Sequence, residues 1–191
     1  INNTNCNATL GKYGAACLFD GDGDYITISD SSSLSFTSGG QDQPFSIEAW
    51  IYPKAEYGTR GIIEKYEGSG VANREWRFNS RVNGQLAADL FDSSNEDISI
   101  GRYSNSTISN NTWTHIAVTY DGSETGIGFN FYINGILSNG ANTSAGAYTG
   151  MSNTGSRVVI GAIYASSGSG MYANGTIDEL RMYKRVLTAE E

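Results

Sequence analysis

The chain has 191 residues, 20 acidic and 12 basic, for a net charge of −8. No run of Lys or Arg supplies the basic stripe that replaces phosphate counterions, which argues against a nucleic-acid partner. No stretch approaches the roughly eighteen apolar residues of a membrane span, and the acidity leaves room for cations and neutral ligands. The length suits one large all-β domain, and 24 Gly with many Ser, Asn and Thr indicate frequent tight turns.

Residues 1–16 are polar and without strong period, and read as a tethered leader. The sequence opens on Ile and shows no signal peptide, so a processed or trimmed start is expected. Its two cysteines are Cys6 and Cys17. A bridge between them would tie the leader to the first strand, and is worth on the order of 3 kcal/mol in the chain-entropy model. It would also indicate an oxidising compartment. Two unlinked thiols are the alternative. Asn-x-Ser/Thr triplets at Asn2, Asn7, Asn105, Asn110, Asn142 and Asn174 permit glycosylation outside the cell.

From Cys17 onward short apolar runs alternate with turn clusters, the spacing of a sandwich or jelly roll. Strands are expected at 17–19, 24–28, 45–53, 60–66, 74–81, 85–91, 113–120, 127–134, 157–162 and 175–183. In the third of these Phe45, Ile47, Ala49 and Ile51 share one face, and Ser46, Glu48, Trp50 and Tyr52 the other. Ile116, Val118 and Tyr120 repeat the pattern against His115, Ala117 and Thr119. Asn134-Gly135 is a hairpin turn of the positive-φ type. Residues 139–155 read as the longest surface loop, and long loops on a rigid scaffold often carry function. In the closing strand the alternation slips between Ile177 and Leu180, which indicates a bulge. Thr188-x-x-Glu191 then has the form of a capping box opening a helix. A helix starting where the sequence stops makes a domain excised from a longer protein the expectation.

Five segments in order resemble LamG-like jelly-roll domains of the concanavalin A-like superfamily. They are Cys17-Leu-Phe-Asp-Gly-Asp-Gly-Asp-Tyr-Ile26, Phe45-Ser-Ile-Glu-Ala-Trp-Ile51, Trp113-Thr-His-Ile-Ala-Val-Thr-Tyr-Asp121, Asn130-Phe-Tyr-Ile-Asn-Gly135 and the closing Gly175-x-Ile-Asp-Glu-x-Arg-x-Tyr-x-Arg-x-Leu187. The resemblance implies an all-β, two-sheet antiparallel jelly-roll sandwich over residues 1–191. Trp50 and Trp113 then fall in core motifs and are expected to be buried. His115, the only histidine, becomes a satisfied residue between the sheets. The resemblance also implies a structural Ca²⁺ clipping the first strand region to the last, with Asp20, Asp22 and Asp178 at the matching positions. The alternative is a solvated Asp/Gly turn with Asp178 capping a backbone amide. A second acidic stretch, Asp89 to Asp97, could hold another cation or be a solvated hairpin tip. Asp42 reads as an exposed turn acid.

Catalysis finds little support. Glycosidases need two carboxylates about 5–10 Å apart, and the Glu-x-Asp-x-x-Glu run of β-glucan-cleaving relatives is missing. Glu64 and Glu67 lack the central Asp. Arg74-Glu-Trp-Arg77 resembles one alginate-lyase strand, but no Gln-x-His accompanies it. Aromatics are plentiful, with twelve Tyr and three Trp, and sugar C–H faces stack on such rings. Trp76 is flanked by charges and is expected, with Arg74, Tyr57, Tyr103 and Tyr164, to form an exposed ligand patch. The alternative is that each Tyr merely covers a sheet edge and wets its hydroxyl. The resulting expectation is a non-catalytic, calcium-stabilised, glycan-binding module, extracellular or at the cell surface. A protein–protein adhesion domain and a structural spacer are the alternatives, with a polysaccharide hydrolase or lyase behind them.

Overall fold

The computed structural model describes residues 4–7, 11–54, 60–66, 73–94, 98–163 and 171–191. In chain order the strands are β1 (Asn5–Asn7), β2 (Ala16–Asp20), β3 (Ile26–Ile28), β4 (Thr37–Ser38), β5 (Gln41–Asp42), β6 (Phe45–Pro53) and β7 (Arg60–Tyr66). They continue as β8 (Arg74–Ser80), β9 (Gln85–Asp92), β10 (Ile98–Thr107), β11 (Thr114–Tyr120), β12 (Phe129–Ile133) and β13 (Ile136–Leu137). Then come β14 (Asn139–Ala145), β15 (Val158–Ile160), β16 (Ala162–Ile163), β17 (Met171–Tyr172) and β18 (Asn174–Tyr183).

Two seven-stranded antiparallel sheets stack. The first runs β1-β2-β18-β6-β11-β12-β13 and the second β14-β10-β9-β8-β7-β15-β3. Alternation decides what lies between them. Phe45, Ile47, Ala49 and Ile51 face inward, in register with Tyr120, Val118, Ile116 and Thr114. Trp76, Phe78, Leu86, Ala88, Leu90 and Ile100 meet them from the second sheet. Such a jelly roll is what the apolar period and the motif order imply.

Several local readings hold. Cys6 and Cys17 stand opposite each other in the β1–β2 ladder and are bridged. Asn134 and Gly135 both have positive φ, 51° and 76°. The β18 register slips between Asp178 and Arg181, with Glu179 in the left-handed region at φ 49°. The Glu191 carboxylate accepts from Thr188 N–H at 3.0 Å, one half of a capping box.

Other readings are corrected. Residues 139–145 are not loop but an edge strand, β14, paired to β10, a strand the apolar pattern does not reveal. Trp50 and Trp113 are half-buried on the outer face of the first sheet, because they alternate with the core residues rather than join them. Trp50 packs beneath Tyr13 and Lys12 of the leader segment. His115 shares that outer face and is not between the sheets; its Nε2 lies 3.2 Å from Glu48 Oε2. Glu48 also accepts from Tyr183 Oη at 2.8 Å, so this group of side chains braces β6, β11 and β18. Asp42 is not exposed: it is 5% accessible and sits at a junction of loops.

Candidate functional site

The outer face of the second sheet carries charged and aromatic side chains in register across its strands. Residues alternating with Trp76, Phe78, Leu86, Ala88 and Leu90 must point away from the core. The register aligns them across five strands. Glu64, Arg77, Asp89, Gly101 and Thr143 form one row. Asn79, Ala87 and Tyr103 form the next.

Arg77 donates to Asp89 Oδ2 through Nε at 3.1 Å and a terminal nitrogen at 2.7 Å. Burial alone would lower the guanidinium, but the charge and hydrogen bonds of Asp89 outweigh it and raise Arg77 above its ordinary value. Phe91 lies two residues beyond Asp89 on the same face. The Arg77 and Arg74 guanidinium carbons stand 5.4 and 5.7 Å from its ring centre, and Arg74 is 5.3 Å from that of Tyr66. At the other end Arg81 stacks on Tyr103 at 3.9 Å. The two stacks are separated by about four residues of strand, roughly 13 Å. Between them the floor is small. Ala87 is buried there, and Gly101 is covered by its neighbours: a Cβ on it would stand 2.5 Å from Asp89 Oδ1 and 2.8 Å from Thr143 Oγ1. Asn79 is buried on this floor, and its Oδ1 has no hydrogen-bond partner among the described residues.

Of the expected ligand patch, Arg74 and Tyr103 lie on this face. Trp76 does not. It is 1% exposed, packs against Phe36 in the core and donates its indole N–H to Leu34 O at 3.0 Å. Arg77, the next residue, points outward while the ring points inward; Glu75 on the other side is itself buried against Lys65, and the register slips beside Arg74. Tyr57 and Tyr164 fall outside the described residues. Arg102 points between the sheets, where it donates to Phe129 O at 2.7 Å. Arg77, Asp89, Phe91 and Arg81 were missed, although alternation from Trp76 and Leu90 was sufficient to find the first three.

The three carboxylates expected to share Ca²⁺ are not brought together. Asp20 pairs with Asn174 and Cys17 with Ile177, so Asp178 lies about 13 Å down the ladder from Asp20. Both Asp178 oxygens are engaged by backbone, Oδ2 by Tyr13 N–H at 2.9 Å and Oδ1 by Glu179 N–H at 2.7 Å. Asp178 is therefore the amide cap of the alternative reading. The residue beside Asp20 is Asp24. Asp24 Oδ2 accepts from Asp20 N–H at 3.1 Å, while its Oδ1 is buried with no partner among the described residues. No group of three or more His, Cys, Asp or Glu suited to a metal gathers among the described residues. In the second acidic stretch Asp89 is held by Arg77, Asp92 by Ser94 and Thr149, and residues 95–97 lie outside the described set.

A family model described as the concanavalin A-like lectin/glucanases superfamily matches residues 20–191. No curated protein sequence matches the chain. Among solved structures, the carbohydrate-binding module CBM40 of the Ruminococcus gnavus IT-sialidase, bound to α2,3-sialyllactose, superposes with a TM-score of 0.63 at 13% identity, covering 91% of this chain and 93% of that one. A putative carbohydrate-binding protein of Bacteroides ovatus gives 0.60 at 19% identity, covering 92% of this chain and 44% of the other. The binding domain of botulinum neurotoxin DC in complex with SialylT gives 0.65 at 15%, covering 98% and 43%. At these identities the likeness is one of fold.

Proposed function

As this chain belongs to the concanavalin A-like lectin/glucanase superfamily, we propose that it is a non-catalytic glycan-binding module whose ligand lies on the outer face of the second sheet. The observation that carries this is the pair of arginine–aromatic stacks at the two ends of the face, with Asn79 Oδ1 between them lacking a hydrogen-bond partner among the described residues. Rings at the two ends supply stacking surface, and Arg and Asp89 reach sugar hydroxyls. Three Arg against Glu64 and Asp89 give the face a cationic excess on an acidic chain, which suits glycans bearing carboxylate or sulfate. Neighbours named as carbohydrate-binding support the class. The disulfide supports an extracellular or cell-surface setting, since such bridges persist in oxidising compartments. No described helix is long and apolar enough to cross a membrane.

A glycan array of neutral, sialylated, uronate and sulfated oligosaccharides tests the reading. Binding is expected to concentrate in the acidic set, to weaken with salt, and to fall at least tenfold in Arg77→Ala or Tyr103→Ala. An array without hits would remove the glycan proposal and leave a protein ligand, the adhesion alternative.

Calcium belongs to the proposal at the opening turn alone. The acids of that turn do not gather into one ligand set; what supports a cation there is Asp24 Oδ1, which has no partner among the described residues and is a hard donor of the kind Ca²⁺ takes alongside carbonyls and water. A cation bound only by the folded state adds about 2.7 kcal/mol at a hundredfold excess over Kd. Chelation is expected to lower Tm by several degrees, on the order of 2–4 °C per kcal/mol at this size. Asp24→Asn should abolish that response and Asp178→Asn should keep it. A Tm indifferent to chelator would remove calcium from the picture.

A further inference from the structure

A second concavity lies at the end of the sandwich, separate from the sheet face. Its volume is about 610 Å³, within the range of small-molecule sites, about 300–1,000 Å³. Three segments wall it: the β4–β5 hairpin with Thr37 to Gly40, the end of β9 with Asp92 and Ser94, and the loop from Thr149 to Asn153.

The walls are fixed by contacts that small residues alone permit. Gly39 and Gly40 both have positive φ, 62° and 80°, as a two-residue hairpin turn requires. Gly150 at φ +130° packs so closely on that turn that a Cβ would stand 2.4 Å from Gly40 O. The loop is further tied by Met151 N–H to Asp42 Oδ1 at 2.6 Å and by Ser152 N–H to Phe91 O at 3.1 Å. Ser93 N–H donates to Ser152 Oγ at 2.7 Å, joining the loop to the end of β9. The groove is thus held on opposite sides rather than left to two independent loops.

The lining selects a ligand chemistry. Among the described lining residues, hydroxyls, a side-chain amide and backbone groups predominate, with one carboxylate and no cation or aromatic ring. Asp92 accepts on Oδ1 from Ser94 N–H at 3.0 Å and Ser94 Oγ at 2.6 Å, and on Oδ2 from Thr149 Oγ1 at 3.2 Å. Burial would raise this carboxyl, but those donors outweigh it and hold it below the usual carboxylate value. It therefore stays an acceptor at neutral pH, and Oδ2, with a single donor among the described residues, has capacity left. Anions are repelled. Flat apolar ligands find no surface, since Met151 is buried. We infer that this groove is a second, neutral-sugar subsite, in which Asp92 and the surrounding hydroxyls and amides receive the hydroxyls of one pyranose ring.

The test is titration of the isotopically labelled full chain with methyl α-glucoside, methyl α-galactoside and methyl α-mannoside, following amide NMR shifts. Saturable shifts at Gly39, Gly40, Gly150 and Ser152 are expected with at least one of the three. Ser38→Trp plugs the groove from an exposed strand position and is expected to weaken that binding at least tenfold. Asp92→Asn should weaken it similarly, and Arg77→Ala on the sheet face should leave it within twofold. The subsite is overturned by unmoved glycine amides with all three sugars, or by shifts that survive in Ser38→Trp or Asp92→Asn. Shifts lost in Arg77→Ala would also overturn it, by assigning the sugar to the sheet face.

Discussion

Asp42→Ala is expected to lower stability by on the order of 3–5 kcal/mol, the sum expected when several donors to one buried acceptor are left unmade. The carboxylate is almost fully enclosed and receives Tyr120 Oη at 2.9 Å, Tyr148 Oη at 2.8 Å and Met151 N–H at 2.6 Å. Removing it strands three donors, two of them buried and the Tyr148 hydroxyl partly so, each worth about 1–3 kcal/mol when buried and left unmade. It also unties the 148–151 loop from the β4–β5 hairpin, so the groove should lose its shape before the sandwich melts. Asp42→Asn keeps one acceptor and should fall between wild type and Ala. Both tyrosines are pushed above their ordinary range, first by burial and then by the Asp42 charge, so they act as donors throughout.

The same carboxyl carries a pH signature. Burial raises Asp42 above its usual value, with Glu124 adding to the rise, against hydrogen bonds from Met151, Tyr148 and Tyr120 that lower it. The folded state therefore holds this proton more tightly than the unfolded chain. The stabilisation linked to protonation is full below the unfolded value near 3.8 and is lost as pH rises through the folded one. The stability gap between wild type and Asp42→Asn should widen as pH falls from neutral towards 4. Denaturant titrations at both ends measure it; a gap that narrows would mean the hydrogen bonds, not burial, dominate.

What could be read in the sequence follows what generates each feature. β6 and β11 were legible because nearly every second residue is apolar and β11 pairs along its whole length with β6. β14, Asn139–Ala145, was not, because an edge strand with little buried surface selects no apolar period. Trp76 misled because its neighbours in sequence are charged, whereas in a strand the adjacent residue belongs to the opposite face. Applying that parity strictly would have exchanged Trp76 for Arg77. Asp42 could not be read at all: its partners lie 78 and 106 positions away, and no local pattern marks a carboxylate they will enclose. For Asp178 the motif located the right strand, but the pairing register that separates it from Asp20 is a tertiary property.

Lys65→Met is the second substitution expected to have a large effect, again on the order of 3–5 kcal/mol. Lys65 and Glu75 are both wholly buried, an arrangement rare unless paired. The Lys65 ammonium bonds Glu75 Oε1, lies 2.8 Å from Asp30 Oδ1 and donates to Thr154 O at 2.9 Å. Glu75 Oε1 also accepts from Thr154 N–H at 2.6 Å, while Oε2 has no partner among the described residues. Methionine fills the space of the lysine stem but leaves Glu75 as a buried charge without its cation. Tm should fall by on the order of 10 °C at this chain length. A double replacement, Lys65→Met with Glu75→Gln, removes both charges and keeps an acceptor for Thr154, so it should recover much of the loss. Non-additivity of at least 1 kcal/mol across that cycle is the expected sign of direct coupling. Because Thr154 adjoins Asn153 in the groove wall, Lys65→Met should also shift the Gly150 and Ser152 amides in the unliganded protein. Additive single effects with an unmoved loop would show instead that Lys65 serves only as packing between β7 and β8.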